Sequence, residues 1–192
     1  MSKKRFRALD LFCGLGGWSD GFKAANFDVL GVEIEPKIAK LYKHDVICAD
    51  VKTLNPELFK GFDLIVGSPP CRDFTILQDT LWKKKKNPEL GMILVNAFLN
   101  FVDVVKPKFW IMENAPGLRK FLDIKPKCFI RIHRGKRQFL WGDFPNCLIP
   151  IHYHDTLVEH QNGSLRKWKR AKIPFVISYT LGKACYDALI NS

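Results

Sequence analysis

Short apolar runs bounded by glycine, proline or an acidic residue alternate along the chain with stretches of helical spacing. Residues 6 to 12, Phe-Arg-Ala-Leu-Asp-Leu-Phe, read as a first strand, and the glycine-rich Cys13–Gly17 as a tight turn. Trp18 to Ala25 has the spacing of a helix. Val29–Ile34 reads as a second strand, Ile38–His44 as a short helix, and Val46–Asp50 as a third strand. Phe62–Val66 is a fourth strand, running into Gly67-Ser68-Pro69-Pro70-Cys71. A helix is predicted from Pro88 to Val105, with proline suited to its first turn. Phe109–Met112 forms a fifth strand that ends at Glu113-Asn114. Cys128–Ile132 and Arg137–Trp141 read as two more strands, a hairpin around Gly135, and Tyr179–Ile190 as a last helix. Strands alternating with helices predict an α/β fold with a doubly wound, mostly parallel, Rossmann-like sheet. The 192 residues suit a single domain over 1–192, with a short basic segment at about 143–172.

Composition adds a partner class. Lys and Arg number 31 against 19 Asp and Glu, a formal net charge of +12. That excess suits an anionic partner such as nucleic acid, although a merely soluble basic surface gives the same count. None of the six cysteines forms a C-x-x-C pair. His152, His154 and His160 fit no common zinc spacing, so no metal is expected. The N-terminus lacks the apolar core of a signal peptide and no apolar run reads as a membrane crossing, which places the chain in the cytoplasm with reduced thiols.

The strand ends carry the chemistry. In open α/β sheets ligands bind beyond the carboxyl ends of the strands. Gly14, Gly16 and Gly17 give G-x-G-G between a strand and a helix, a place where backbone N–H groups can meet an anion, or a plain glycine turn. Glu33 ends the second strand and can accept from ribose hydroxyls; Asp50 ends the third and can accept from an adenine amino group. Each alone could be a surface acid, but three successive strand ends of this kind suit an adenosine-type ligand. Cys71 follows two prolines on a stiff turn. It is a candidate nucleophile, with a small core residue as the bland alternative. Glu113, ending the fifth strand, can be brought beside it by the sheet, where it could hold or protonate a ring nitrogen; otherwise it is a solvated acid.

In order, these residues resemble the cytosine-5 DNA methyltransferase family over residues 9 to 142. Leu9–Gly17 is similar to the family's cofactor motif, and Val32-Glu33-Ile34 and Ala49-Asp50-Val51 to the two that follow. Ser68-Pro69-Pro70-Cys71 resembles the nucleophile motif and Phe109–Leu118 the glutamate motif. The resemblance implies S-adenosylmethionine as cofactor, with Phe12 against the adenine, Glu33 on the ribose, Asp50 on the amino group and Ile34 and Val51 flanking the ring. It implies catalysis by Cys71 and Glu113, with Asn114 and Arg137 beside them, on a cytosine flipped out of duplex DNA.

The chain also departs from the family pattern. Arg72 replaces the usual Gln after the nucleophile. Of the later Gln-x-Arg-x-Arg motif only Arg137 remains, with His133 and Gly135 at the earlier positions. Ile173–Ser178 leading into the last helix stands where the C-terminal cofactor motif belongs, and places Ser178 near the cofactor. Nucleic-acid contacts are expected from Arg72, from Lys83, Lys84, Lys85 and Lys86, and from Arg166, Lys167, Lys169 and Arg170 around Trp168, a segment that also reads as a solvated loop. The reading is DNA cytosine-5 methylation, as in restriction protection or the marking of viral or host DNA. The alternatives are the tRNA branch of the family, which Phe74-Thr75 would suit, and a non-catalytic nucleic-acid-binding relative.

Between Arg137 and Pro174 the chain has little room for the family's target-recognition region. Sequence is read at base edges, whereas phosphate contacts only position the protein, so the expected target is short, roughly two to four base pairs. Neutralising the Lys83–Lys86 charges should flatten the slope of log affinity against log salt by about 0.9 for each phosphate that is no longer paired with a cation, without changing which cytosines are methylated. Bisulfite sequencing of a methylated plasmid measures this, and a unique site of about six base pairs or more would contradict it.

Overall fold

In a computed structural model, which describes residues 5–75, 87–132, 136–150 and 164–192, the apolar runs assemble into one seven-stranded sheet. Its strands are β1 (Phe6–Leu11), β2 (Phe27–Glu33), β3 (Asp45–Cys48), β4 (Leu64–Gly67), β5 (Phe109–Asn114), β6 (Cys128–Ile132) and β7 (Lys136–Asp143). The order is β3-β2-β1-β4-β5-β7-β6. The first five run parallel, and β7 enters antiparallel to both β5 and β6. The helices are α1 (Gly17–Ala24), α2 (Pro36–Ala39), α3 (Pro88–Val105), α4 (Arg166–Ala171) and α5 (Phe175–Ile190).

Strand alternation sends successive side chains to opposite faces, and each face is covered. On one face Ala8, Leu64, Val66 and Ile111 meet Trp18 and Phe22 of α1 and Ile177, Leu181 and Cys185 of α5. On the other, Leu9, Leu11, Ile65 and Met112 meet Val95, Phe98, Phe101 and Val105 of α3. The buried positions of α3 recur at three and four residues, so one stripe of the helix lies on the sheet. Its start is fixed by Asn87, whose side chain accepts from Leu90 N at 3.1 Å, and by Pro88. Against the sequence expectation, α3 is long and apolar enough for a membrane crossing by length and composition. Its other side carries exposed Glu89, Asn96, Asn100 and Asp103, and its apolar stripe packs into the core.

Two elements differ from expectation. The helix expected over Ile38–His44 shrinks to α2, because Tyr42 turns inward and is buried beneath the glycine turn. The basic segment around Trp168 forms the short helix α4 rather than a solvated loop. Gly135 and the three candidate metal histidines lie outside the described residues, as do Lys83–Lys86.

Helices α1 and α5 cross through small residues. A Cβ on Gly21 would lie 2.2 Å from Ser178 Oγ and 2.4 Å from Tyr179 N, the latter backbone that cannot move aside. Gly21→Ala should therefore destabilise the protein by about 1–3 kcal/mol, the cost of overpacking a tight contact. Denaturant unfolding measures it, and an unchanged midpoint would show that the two helices are not held this closely.

Candidate active site

The site follows from the register of three neighbouring strands. Leu11 of β1 pairs with Gly67 of β4, and Gly67 with Met112 of β5. The glycine turn, the Pro-Pro-Cys turn and Glu113 therefore leave neighbouring strands at one height. The change of direction in strand order falls between β1 and β4, the crevice where open α/β sheets bind ligands.

On the β1 side, Phe12 leaves the strand at φ 63, a left-handed conformation that is costly for a bulky residue, of order 1–3 kcal/mol. Gly16 follows at φ 79 and caps α1, a role that glycine fills without steric penalty. Glu33 is almost wholly buried, and its two carboxylate oxygens accept from Gly14 N at 3.0 Å and Glu35 N at 2.9 Å. Its side chain thus joins the end of β2 to the glycine turn. Ile34 is exposed, Val51 is buried, and Asp50 stands two residues past β3. There Asp50 caps a 3-10 turn over Val51–Thr53 by accepting from Lys52 N at 3.0 Å.

Behind the turn lies a buried carboxyl that the sequence did not single out. Asp10 is fully buried; Ser19 Oγ donates to its Oδ2 at 2.5 Å and lies 2.5 Å from Tyr42 OH. Asp10 Oδ1 has no hydrogen-bond partner among the described residues. Burial drives the carboxyl from its ordinary 3.8 up to about 7, with Glu33 and Asp20 adding repulsion and Ser19 opposing. Burial likewise raises the Cys13 thiol and the Tyr42 hydroxyl.

On the β4 side, Cys71 is half-buried, at φ −91 and ψ 0, and opens a 3-10 turn over Arg72–Phe74. Asn114, expected among the catalytic residues, has no exposed surface. Its Nδ2 donates to Pro69 O at 2.9 Å and its Oδ1 accepts from Ala115 N at 2.8 Å. Asn114 is therefore a brace between β5 and the cysteine turn. Glu113 is buried, and burial pushes its carboxyl from 4.5 up to about 7 against an opposing hydrogen bond from Ser68. Ser68 Oγ also accepts from Trp18 Nε1 at 3.0 Å. Neither Ser68 nor Trp18 was expected in the site. The parallel register was the available signal, since one residue past Gly67 and Met112 are Ser68 and Glu113.

Three expected placements change. Glu113 pairs with Leu140 of β7, so strand alternation sends Arg137 to the opposite face, where its guanidinium lies 5.3 Å over Phe129. Ser178 is fully buried between α5 and α1 and donates to Phe175 O, so it does not face a cofactor. The stretch just before α5 meets the glycine turn instead. Lys172 Nζ pairs with Asp20 Oδ2 at 2.6 Å, and a Cβ on Gly17 would lie 2.4 Å from Ile173 N. Burial works against the Asp20 carboxylate, but hydrogen bonds from Lys172 and His44 outweigh it and hold Asp20 below its ordinary range. Trp168, expected as a stacking surface for bases, lies 3.7 Å from where a Gly14 Cβ would be, with Lys167 Nζ 4.9 Å over its ring. Arg72, Arg166, Lys167 and Arg170 are exposed and Lys169 is half-buried.

The glycine turn with its braced carboxylate, the Pro-Pro-Cys turn and the buried Glu113 thus share the carboxyl edge of a Rossmann-like sheet. The family model for C-5 cytosine-specific DNA methylases matches residues 6–129, and the chain belongs to that family. It is 33% identical over 120 residues to the type II methyltransferase M.DdeI of Desulfomicrobium norvegicum, covering 57% of this chain and 28% of that protein. It is likewise 33% identical over 122 residues to M1.HphI of Haemophilus parahaemolyticus, covering 57% and 32%. The chain thus spans about a third of the length of these relatives. Among solved structures, an E. coli prophage protein ascribed DNA-modification methyltransferase activity aligns with TM-score 0.55 and 26% identity over 71% of this chain and 46% of that one. The Entamoeba histolytica methyltransferase EhMeth shares the fold, with TM-score 0.55 and 15% identity over 84% and 61%.

The raised Asp10 carboxyl fixes a pH dependence of stability. Its folded pKa, about 7, lies above its ordinary 3.8. The stabilisation is therefore fully present below about pH 4 and is lost as pH rises through about 7, because ionising the buried group favours unfolding. Asp10→Asn keeps an acceptor for Ser19 and removes the titration. Melting curves from pH 4 to 8 should show a shallower fall for Asp10→Asn than for the wild type; parallel curves would refute the assignment.

Proposed function

We propose that this chain transfers a methyl group from S-adenosylmethionine to carbon 5 of cytosine in DNA. The observation that carries the reading is the register of β4 and β5, with the Asn114–Pro69 hydrogen bond, which sets the turn leading to Cys71 beside the buried acid Glu113. The glycine turn fits the cofactor. Glu33 is held by two backbone N–H groups and keeps a lone pair on each oxygen for ribose hydroxyls, while Asp50 is within reach of solvent at the end of the neighbouring strand. Phe12, Ile34 and Val51 would enclose the adenine. Bound there, S-adenosylmethionine supplies a methyl group as an electrophile.

The residues of the chain supply the rest. Carbon 5 of cytosine is a poor nucleophile. Attack of the Cys71 thiolate on carbon 6 forms a C–S bond and moves the ring electrons to carbon 5, which becomes nucleophilic. Glu113, with its carboxyl near pH 7, can hold a proton against ring nitrogen 3 and offset the charge that the attack places there. After carbon 5 is methylated, loss of its proton to water restores the double bond as the C6–S bond breaks and releases Cys71 as the thiolate. Asn114 keeps the turn in register with Glu113 throughout. The base must leave the duplex to reach the turn, at a cost of a few kcal/mol. Exposed Arg72 beside the nucleophile, together with Arg166, Lys167 and Arg170, supplies positive charge for the phosphates. Within residues 1–192 we read one catalytic unit.

DNA carrying 5-fluorocytosine cannot lose its carbon 5 substituent as a proton, so it should trap the protein covalently. Cys71→Ala should abolish the trapped species, and an adduct surviving in that variant would sink the assignment. Glu33→Ala and Asp50→Ala should each weaken cofactor binding by roughly 1.5–3 kcal/mol, the worth of a hydrogen bond to a charged group. Calorimetry reads this directly, with labelled methyl transfer to DNA and tRNA run side by side to identify the acceptor.

A further inference from the structure

Trp18 opens α1 directly after the glycine turn and is almost wholly buried. Its indole nitrogen donates to Ser68 Oγ at 3.0 Å. An indole N–H can only donate, so it occupies a lone pair of the Ser68 hydroxyl and leaves the hydroxyl proton to be given elsewhere. The parallel register of β4 and β5 puts Ser68 and Glu113 side by side on one face, one residue past the Gly67–Met112 pair. Ser68 in turn hydrogen-bonds the Glu113 carboxyl.

We propose that Ser68 and Trp18 are positioning residues for Glu113: the indole holds one lone pair of the serine hydroxyl and biases its proton toward the carboxyl, and so tunes both the orientation of that carboxyl and its readiness to give up a proton. The inference rests on Glu113 being the group that meets the base ring. Among the described residues two influences act on this carboxyl. Burial favours the neutral acid, and the Ser68 hydrogen bond favours the carboxylate. Were the serine hydroxyl free to rotate, it could accept from a protonated Glu113 instead and stabilise the neutral form. With one lone pair held by Trp18 Nε1, one of the two hydroxyl orientations that could accept is closed, which biases Ser68 toward donating to the carboxylate. A side chain of the helix beneath the cofactor turn thereby sets the proton affinity of the acid on the far side of the crevice.

The test follows Glu113 itself, with and without turnover. The carbonyl stretch of a protonated glutamic acid, read by infrared difference between each protein and its Glu113→Gln counterpart, gives the titration midpoint with no substrate present. In Ser68→Ala the midpoint should rise by about one to two pH units, the worth of one hydrogen bond to a charged group. In Trp18→Phe, which keeps an aromatic ring against Phe22 but no N–H, it should rise by less. Ser68→Thr, which keeps the hydroxyl, should restore the wild-type value. The alkaline limb of methyl transfer should move with the midpoint in each variant. A midpoint in Ser68→Ala at or below that of the wild type would overturn the proposal. If Ser68→Ala does not fold, an unmoved midpoint in Trp18→Phe overturns it equally. The infrared titration stands apart from the methylation reading: midpoints that move as expected without any methyl transfer would leave the Trp18–Ser68–Glu113 relay intact and reject the reaction.

Discussion

The placement of the Cys71 turn beside Glu113, and of both beside the glycine turn, depends on the register of three parallel strands. Leu11, Gly67 and Met112 are register partners across β1, β4 and β5. A slip of one residue in any of them would turn its whole set of side chains to the opposite face. Ser68 would then leave Glu113, and Asn114 would leave the carbonyl of Pro69. The register is held because both faces of these strands are buried, against α1 and α5 on one side and α3 on the other. The apolar core therefore does more than stabilise. It converts burial energy into the placement of groups that lie far apart in the chain.

The same burial creates a problem that the site resolves in three ways. Asp10, Glu33 and Glu113 all sit at or near strand ends with almost no exposed surface, and a buried carboxylate is costly unless it is compensated. Glu33 takes one backbone N–H from the glycine turn, that of Gly14, and one from Glu35 just past its own strand. Asp10 takes one short bond from Ser19 and leaves an oxygen without a partner among the described residues, which favours the neutral acid. Glu113 takes a single hydroxyl, and burial raises its carboxyl, like that of Asp10, to about 7. In the proposed reaction Glu113 holds and then gives up a proton, a task that a carboxyl titrating there suits.

The sequence made the parallel frame legible because fully buried strands appear as short apolar runs, and the residues just past them are the ones a ligand can reach. Cys71, Glu113, Glu33 and Asp50 all stand at such ends. Helix α3 has the predicted bounds because Asn87 and Pro88 mark its start. What the motifs left unread has one cause. Asn114, Ser178 and Arg137 were placed by motif position, yet what a side chain does depends on which face it leaves from and what it meets there. Asn114 meets the carbonyl of Pro69, Ser178 meets Gly21, and Arg137 meets Phe129. Trp168 lies in a basic stretch, and charge pattern alone cannot tell a tryptophan offered to bases from one laid against a glycine turn near the start of the chain.

That last contact belongs to a larger closure. The end of the chain is locked onto its beginning at successive points: Trp168 on Gly14, Ile173 on Gly17, Lys172 on Asp20, and Ser178 on Gly21. Each point on the early side lies in the glycine turn or the first turns of α1, and three of the four are glycines, whose missing side chains let the later segment come close. The turn is held by Gly16 N on Cys13 O at 2.9 Å and by Glu33 on Gly14 N, yet glycine loses more freedom on folding than any other residue. The late segment adds a further restraint. Trp18 leaves from the same α1 turn and reaches Ser68, so the restraint does not stop at the glycine-turn side of the crevice. It passes through one indole N–H to the acid on β5, and the two halves of the site are set by a single rigid element.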